Sequence, residues 1–533
     1  AGETVTLDPK IETEGPTTFQ WGKDGKDLAG ETDPILVIHD VKDADAGNYN
    51  IEATNLAGTT ISETMRVSVV DEAKIGKHVE NNFRGYTGVI DSSPAIGQSG
   101  SVYYAIAGDS VGYLYSHEPN GVRKWGLSFD SALRGSPAID HNGVIYVLED
   151  AGVLHAVADQ GGKGKKLWSY KLTGEDVDAT GEYVEYGNSP AITEDGTIIF
   201  GWFDGNVYAV KEGELVWEFP TEGRVVSSPS IAPDGTIYIG TDEGFMYAIN
   251  PDGTAAWSKP FATGGKIMAR PAIDTEGNIY FGSFAGQFYA LDSDKTPKWQ
   301  FDTDQEIWTS AVIRADGTVC FGADDGYFYA LDTESGDVKW TYKIQDNFQM
   351  SASAALGLDG SIYFSLYNNT FYAINRIGEE LWKVKLKGKG NDVAVATYSS
   401  PTLLDDGKIY VGINDGDNGL INVIQGGSPI DNESPWPGFG GDMQNTGRVM
   451  VKRTDAESFK AELRVTEVSG GSLTIQVTGD AFETYKLQYS NNLKTWKVVP
   501  DLQSIKTNFR GKADIKRTIE ADSAPTFYRL LNE

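Results

Sequence analysis

The sequence is poor in the residues that usually announce chemistry. Cys320 is the single cysteine in 533 residues. That excludes an intrachain disulfide, a haem-attachment CxxCH site and a cysteine zinc site. Histidine is almost as scarce. The five are His39, His78, His117, His141 and His155, and none stands at HxxxH or HxH spacing, so a histidine metal centre has no support. There is no nucleophile elbow and no Walker-type phosphate loop. No apolar stretch approaches the roughly eighteen residues that a membrane-spanning helix needs. Positive charge is short too: 45 Lys and Arg face 76 Asp and Glu, a net charge of −31. Such a surface repels phosphate backbones and anionic lipid, so nucleic acid is not an expected partner. The plain consequence of the charge is solubility. The chain starts at Ala1 with no initiator Met and no signal peptide, and is expected to be processed or part of something longer.

What the chain has in quantity is glycine, 62 residues, and aromatic residues, 11%. That composition favours many short strands joined by turns. The length asks for several domains. The stretch IAPDGTIYIGTDEGFMYAINPDGTAAW, from Ile231 to Trp257, shows the organising unit. Its register is Pro229, Gly235, Gly244, Tyr247 and Trp257. The same register recurs as Pro137 to Trp168 (with His155 for the tyrosine), Pro190 to Trp217, and Pro271 to Trp299. Two copies, Ala311 to Trp340 and Ala354 to Trp382, replace the proline, and the second puts Asn369 where others have glycine. Two more, Pro94 to Trp125 and Pro401 to Asn422, carry about three extra residues between their glycines. Within each unit, Asp-Gly supplies a tight turn, and segments such as TIYIG alternate as a half-buried strand does. Four strands in about forty residues, repeated eight times at one spacing, are an eight-bladed β-propeller.

The pattern SPAI…DGTIY.G..DG.LYALD…W resembles the repeat of the pyrroloquinoline-quinone-like β-propellers, and the likeness covers about Ser92 to Val423. WPGFGGDMQNTGR, Trp436 to Arg448, is similar to a segment at the edge of such bacterial propellers. That family holds quinone-dependent dehydrogenases as well as non-enzymatic scaffolds such as the outer-membrane assembly propeller. At the N-terminal end, Trp21 followed by Leu36, Ile38, Val41, Asp45, Gly47 and Tyr49 resembles an I-set immunoglobulin domain. There Trp21 takes the place of the buried strand-C tryptophan and Tyr49 that of the tyrosine corner. Pro9 and Ile51 occupy the cysteine slots, so packing must replace a disulfide worth roughly 2–4 kcal/mol. GETVTL reads as strand B, so strand A is expected before Ala1 or is lent by a neighbouring molecule. LQYSNNLKTW followed by FYRL resembles the small terminal β-sandwich of large secreted bacterial proteins.

The expected fold is all-β: an immunoglobulin-like domain over 1–71, a linker and first propeller strand over 72–91, the eight-bladed propeller over 92–426, a linker and edge segment over 427–455, and a β-sandwich over 456–533. Trp125, Trp168, Trp217, Trp257, Trp299, Trp340 and Trp382 share one register position and resemble the blade-docking tryptophans of the family.

Chemistry finds little purchase. The cysteine pair that caps the quinone in many such dehydrogenases is missing, and Cys320 sits in a strand slot where it reads as a core thiol. NDGDNG at Asn414 to Gly419 lacks the closing Glu of a calcium loop and reads as a hairpin. No catalytic, cofactor-binding or metal residue is assigned; no cofactor is expected, calcium and quinone being open alternatives without support in the sequence. Function should sit where the repeat breaks. Glu182, Tyr183, Glu185 and Tyr186 lie in the longest blade connection, Arg134, Arg224 and Arg270 precede first strands, and Trp308 lies off the tryptophan register. These eight form the expected partner-binding face. The connection after Trp382 adds Lys383, Lys385, Lys387 and Lys389. The expected protein is a non-catalytic bacterial scaffold, secreted, at the cell surface or periplasmic. It would bind protein or glycan, or a second copy of itself end to end. The alternatives are a quinone- and calcium-dependent dehydrogenase or other propeller enzyme, and a periplasmic adaptor for outer-membrane protein assembly.

Overall fold

The structure is a computed structural model. It describes residues 5–7, 9, 17–39, 41–55, 58–62, 65–67, 74–79, 86–108, 110–173, 188–344, 349–350, 352–388, 395–404, 406–416, 418–431 and 434–449, and beyond these the backbone of seven strands between 462 and 532. The chain divides into two compact units, Ala1–Lys452 and Arg453–Glu533.

In the first unit the repeat folds as eight antiparallel sheets among the described residues, seven of four strands and one of five. We number the blades by their innermost strands: Ala95–Ile96, Ala138–Ile139, Ala191–Ile192, Ser230–Ile231, Ala272–Ile273, Val312–Arg314, Ala355–Leu356 and Thr402–Leu403. Each of these lies beside the next in chain order. The ring closes where Ser400 N donates to Ser93 Oγ at 3.0 Å and Thr402 Oγ1 to the Pro94 carbonyl at 2.7 Å. The all-β propeller expected from the repeat is what the chain forms.

The second strands depart from the expected half-burial. Ile237–Gly240 and its counterpart Ile279–Gly282 are buried at every residue. Both faces of a blade are covered by neighbouring blades, so its inner strands need apolar residues on both sides. Alternation appears on the outermost strands, as in Gly164–Lys171, where one face meets solvent. The turns behave as their residues dictate: Gly235, Gly244 and Asn369 all adopt positive φ, at 89°, 80° and 60°. In blade 4 the fourth strand is Phe261–Ala262 rather than the segment around Trp257. Pro260, which has no N–H to give a ladder, stands between the two.

The strand expected to begin the propeller completes its last blade. Tyr86–Thr87 pairs with Asn418 and Gly419. Further out, Gly76 N donates to the Gln425 carbonyl and Val79 N to the Val423 carbonyl, at 2.8 and 2.9 Å. Blade 8 is thus built from both ends of the propeller sequence.

The repeated tryptophans reach from one blade to the next. Indole Nε1 of Trp217, Trp257, Trp299 and Trp340 donates to the carbonyls of Pro251, Ser293, Thr333 and Arg376 at 2.8–3.0 Å. A glycine usually lies against the ring: a Cβ at Gly378 would come within 2.6 Å of Trp340, and one at Gly76 within 2.9 Å of Trp382. At Trp257 the place belongs to Lys295, which keeps the positive φ of 75° and holds its ammonium 5.9 Å from the indole centroid.

The segment Trp436–Arg448, expected at the edge, crosses the ring instead. Backbone N–H groups of Ile96, Ile139, Ile192 and Ile231 donate to Met443, Gln444, Thr446 and Gly447, and those of Ile313 and Leu356 to Trp436 and Pro437. Six blades are bridged in this way. Blade 8 is reached through Met443, which packs against the cluster that contains Leu404 and Tyr410. Trp436 is fully buried. These carbonyls answer innermost-strand N–H groups that have no further strand to pair with.

In the immunoglobulin-like domain Trp21, Leu36, Tyr49, Ile51 and Val67 form the core. Tyr49 Oη donates to the Asp45 carbonyl at 2.7 Å, the tyrosine-corner bond. The strand Val5–Leu7 pairs with Leu36–Ile38 and packs Val5 and Leu7 against this core. The apolar contribution therefore comes from Leu7 and Val5, whereas Pro9 lies past the strand end. Among its described residues the second unit holds two antiparallel sheets, one of Glu462–Ser469, Ser472–Thr478 and Lys512–Thr518, the other built on Thr484–Ser490.

Candidate functional site

The innermost strands begin at a ring of serines. The residue before each register proline or alanine is Ser93, Ser136, Ser189, Ser228, Arg270, Ser310, Ser353 and Ser400. Each serine oxygen accepts a backbone N–H from the same position one blade earlier: Ser93 N to Ser136 Oγ, Ser136 N to Ser189 Oγ, and so on to Ser400 N and Ser93 Oγ. Ser228 Oγ is taken by Ser189 N, and Arg270 N by Ser310 Oγ. The belt is continuous apart from the step from Ser228 to Arg270, where arginine offers no hydroxyl. The preceding residue ties the same loop into its own blade. Ser92, Ser227, Thr309 and Ser399 each accept from a second-strand N–H, those of Ala105, Gly240, Gly322 and Gly412.

The belt surrounds an axial cavity of about 90 Å³ whose lining includes Phe439 from the crossing segment. The crossing segment lies at the far ends of the innermost strands, so the channel has a floor and one mouth. Asp91, Arg134, Val226, Met268, Trp308 and Tyr398 stand around that mouth. Arg134 is held there by two acids, Nε to Asp150 at 2.9 Å and Nη1 to Asp91 at 3.5 Å. Burial pushes the Asp150 carboxyl up to about 6 against the pull of Arg134. Trp308 packs on Phe284, ring centroids 4.1 Å apart, near Asp324, whose carboxyl burial also pushes up to about 6. Two acids on this face therefore titrate near neutrality. Among the described residues no group of three or more His, Cys, Asp or Glu side chains could hold a metal ion. The cavity is small beside the roughly 300–1,000 Å³ usual for organic ligands.

The profile of the family described as outer membrane protein assembly factor BamB matches residues 107–342 and, in a second overlapping placement, 242–463. The chain belongs to the BamB family. An immunoglobulin I-set profile matches residues 1–69. Among solved structures, BamB from Moraxella catarrhalis is similar at 17% identity and a TM-score of 0.50, over 64% of this chain and 97% of that one. The computationally designed Ika8 protein matches at 14% identity and a TM-score of 0.50, over 64% of this chain and 98% of its own. The C-terminal WD40 domain of Sif2 matches at 14% identity and a TM-score of 0.52, over 66% of this chain and 99% of its own. At such identities the likeness is one of fold. No curated protein matches the chain.

Within this BamB-family propeller the expected face is partly assembled. Arg134, Arg270 and Trp308 meet at the one cavity. Arg224 does not: it is exposed on the rim, its backbone N–H bonded to Asp242 Oδ1 at 2.7 Å. Glu182, Tyr183, Glu185 and Tyr186 lie outside the described residues, as does Lys389. His155, the histidine in a tyrosine register, is buried with Nε2 2.6 Å from Glu149 and Nδ1 2.6 Å from Ser169. Asn414, in the loop weighed for calcium, spends its side chain on Ile90 N and Asp91. The sequence reading missed the serine belt and the floor. The belt's signal was the serine preceding nearly every register proline.

Proposed function

We propose that this BamB-family protein is a non-catalytic scaffold of a bacterial cell envelope that binds other proteins through the mouth face of its propeller. Membership of the family is the observation that carries this reading. The immunoglobulin-like domain, another common protein-binding module, supports it. Arg134 and Trp308 present a cation and an aromatic surface at the mouth, the pair of residue types most enriched at energetic centres of interfaces. Asp150 and Asp324 beside them make the face less negative below about pH 6, so acidic partners bind more tightly there.

A photo-crosslinking amino acid at Trp308, compared with one at exposed Val216 on an outer strand, tests this in the native envelope. Protein adducts at 308 and none at 216 are expected. Equal labelling at both positions would sink the mouth-face assignment. The dehydrogenase reading is tested separately by adding pyrroloquinoline quinone and calcium and following dye reduction on alcohols and sugars, with no turnover expected.

A further inference from the structure

Arg270 is the one break in the serine belt. Its side chain leaves blade 5 and reaches blade 3, where Nη2 donates to the carbonyls of Ser189 and Pro190 at 3.2 and 3.4 Å. The Phe439 ring lies 4.9 Å from its Cζ. The residue is 1% exposed, yet Nε and Nη1 have no hydrogen-bond partner. A buried cation with idle donors is unfavourable unless an acceptor answers it. Asp442 is the acid that pulls on this charge, but its oxygens already accept from Thr446 N and Thr446 Oγ1. Burial lowers the guanidinium to about 9, still charged at neutral pH.

The belt adds a second set of donors. Each of its seven serine oxygens accepts one backbone N–H. Among the described residues none of these hydroxyls gives its own proton to a protein acceptor, so the protons remain for whatever occupies the cavity. Arg270 and the seven belt serines line one axial volume, and guanidinium and hydroxyl donors together select negative charge.

We propose that the axial cavity is a binding site for a compact oxyanion, held by the guanidinium of Arg270 and the hydroxyls of the serine belt. The volume of about 90 Å³ admits acetate or phosphate and no large cofactor. Asp91 and Asp150, paired with Arg134 at the mouth, and Asp442 near the floor disfavour a second negative charge. Singly charged acetate should therefore bind better than phosphate.

The test is isothermal calorimetry and thermal unfolding of the full chain in potassium acetate, potassium phosphate and potassium chloride at matched ionic strength. Arg270→Ser runs in parallel. That substitution installs the residue seven blades already use, so the propeller should keep its fold. The expected result is saturable acetate binding with a raised midpoint, at least tenfold weaker in Arg270→Ser. Binding of phosphate rather than acetate also supports the oxyanion site and reassigns its occupant. If neither anion binds the parent above chloride, or if Arg270→Ser binds as tightly as the parent, the proposal is overturned. Should Arg270→Ser not fold, Arg270→Gln, which keeps a donor for the Ser189 and Pro190 carbonyls, takes its place under the same criteria.

Discussion

At the scale of single residues, the blade-to-blade tryptophan contact sets two opposite expectations. Gly378 has a φ of 84° and no room for a Cβ beside Trp340. Gly378→Ala should cost about 1–3 kcal/mol, combining overpacking with an unfavourable left-handed backbone. Lys295 occupies the equivalent place beside Trp257 with the same sign of φ. A non-glycine residue in that region costs roughly 1–2 kcal/mol, of which glycine returns part through a more flexible unfolded chain. Lys295→Gly should therefore stabilise by up to about 1 kcal/mol. Denaturant unfolding of both variants checks the pair, and a loss of stability in Lys295→Gly would count against the strain argument. Residues of this kind were legible in advance because a turn glycine and a register tryptophan each have one strong local reason. Arg270 was legible only as a position. Its burial and its reach to blade 3 depend on residues some eighty positions away.

At the scale of elements, periodicity foretold the hairpins, since Asp-Gly turns and β-branched runs are local signals. It could not foretell the crossing segment. Trp436–Arg448 has no strand period, and its place follows from open N–H groups on blades far earlier in the chain, from Ile96 to Leu356. Those bonds, together with fully buried Trp436, make the segment an integral layer of the propeller. Trp436→Ala should cost about 3–5 kcal/mol by leaving a cavity among blades 5 and 6. Calorimetric unfolding gives the measurement, and a loss below about 1 kcal/mol would show the segment to be an attachment. Cys320, in the adjacent core and pushed up to about 12 by burial, should resist thiol reagents until the blades open. Labelling in the absence of denaturant would contradict its placement.

At the scale of the whole molecule, acid stability depends on one buried histidine in particular. His117, stacked on Tyr104 at 5.3 Å, is pushed down to about 3 by burial and by Arg123. The unfolded chain takes up this proton near pH 6.5 while the folded chain refuses it. The stability His117 contributes is present above pH 6.5 and is lost as pH falls from there toward 3. Asp150 and Asp324, raised to about 6, act with the opposite sign: their contribution is full below about pH 3.8 and is lost as pH rises through 6. The comparison must therefore be between His117→Phe and its parent. On acidification below about pH 6.5 the difference should move in the variant's favour, approaching about 1.4 kcal/mol per pH unit. A difference that does not change with pH would refute the buried neutral imidazole.

The closure of blade 8 also bears on how the chain is made. Gly76, Val79 and Tyr86–Thr87 leave the ribosome before any blade is made, and their partners in Asn418–Gln425 leave it more than three hundred residues later. Until then the first and the newest blades each have a neighbour on one side only and offer a bare face. Contacts of such sequence separation form slowly, because the loop entropy is lost before the pairing returns anything. While its blades are being made the propeller is thus an open arc with exposed apolar flanks, the condition in which aggregation competes with folding. The ring becomes safe all at once, when its oldest strand meets its youngest.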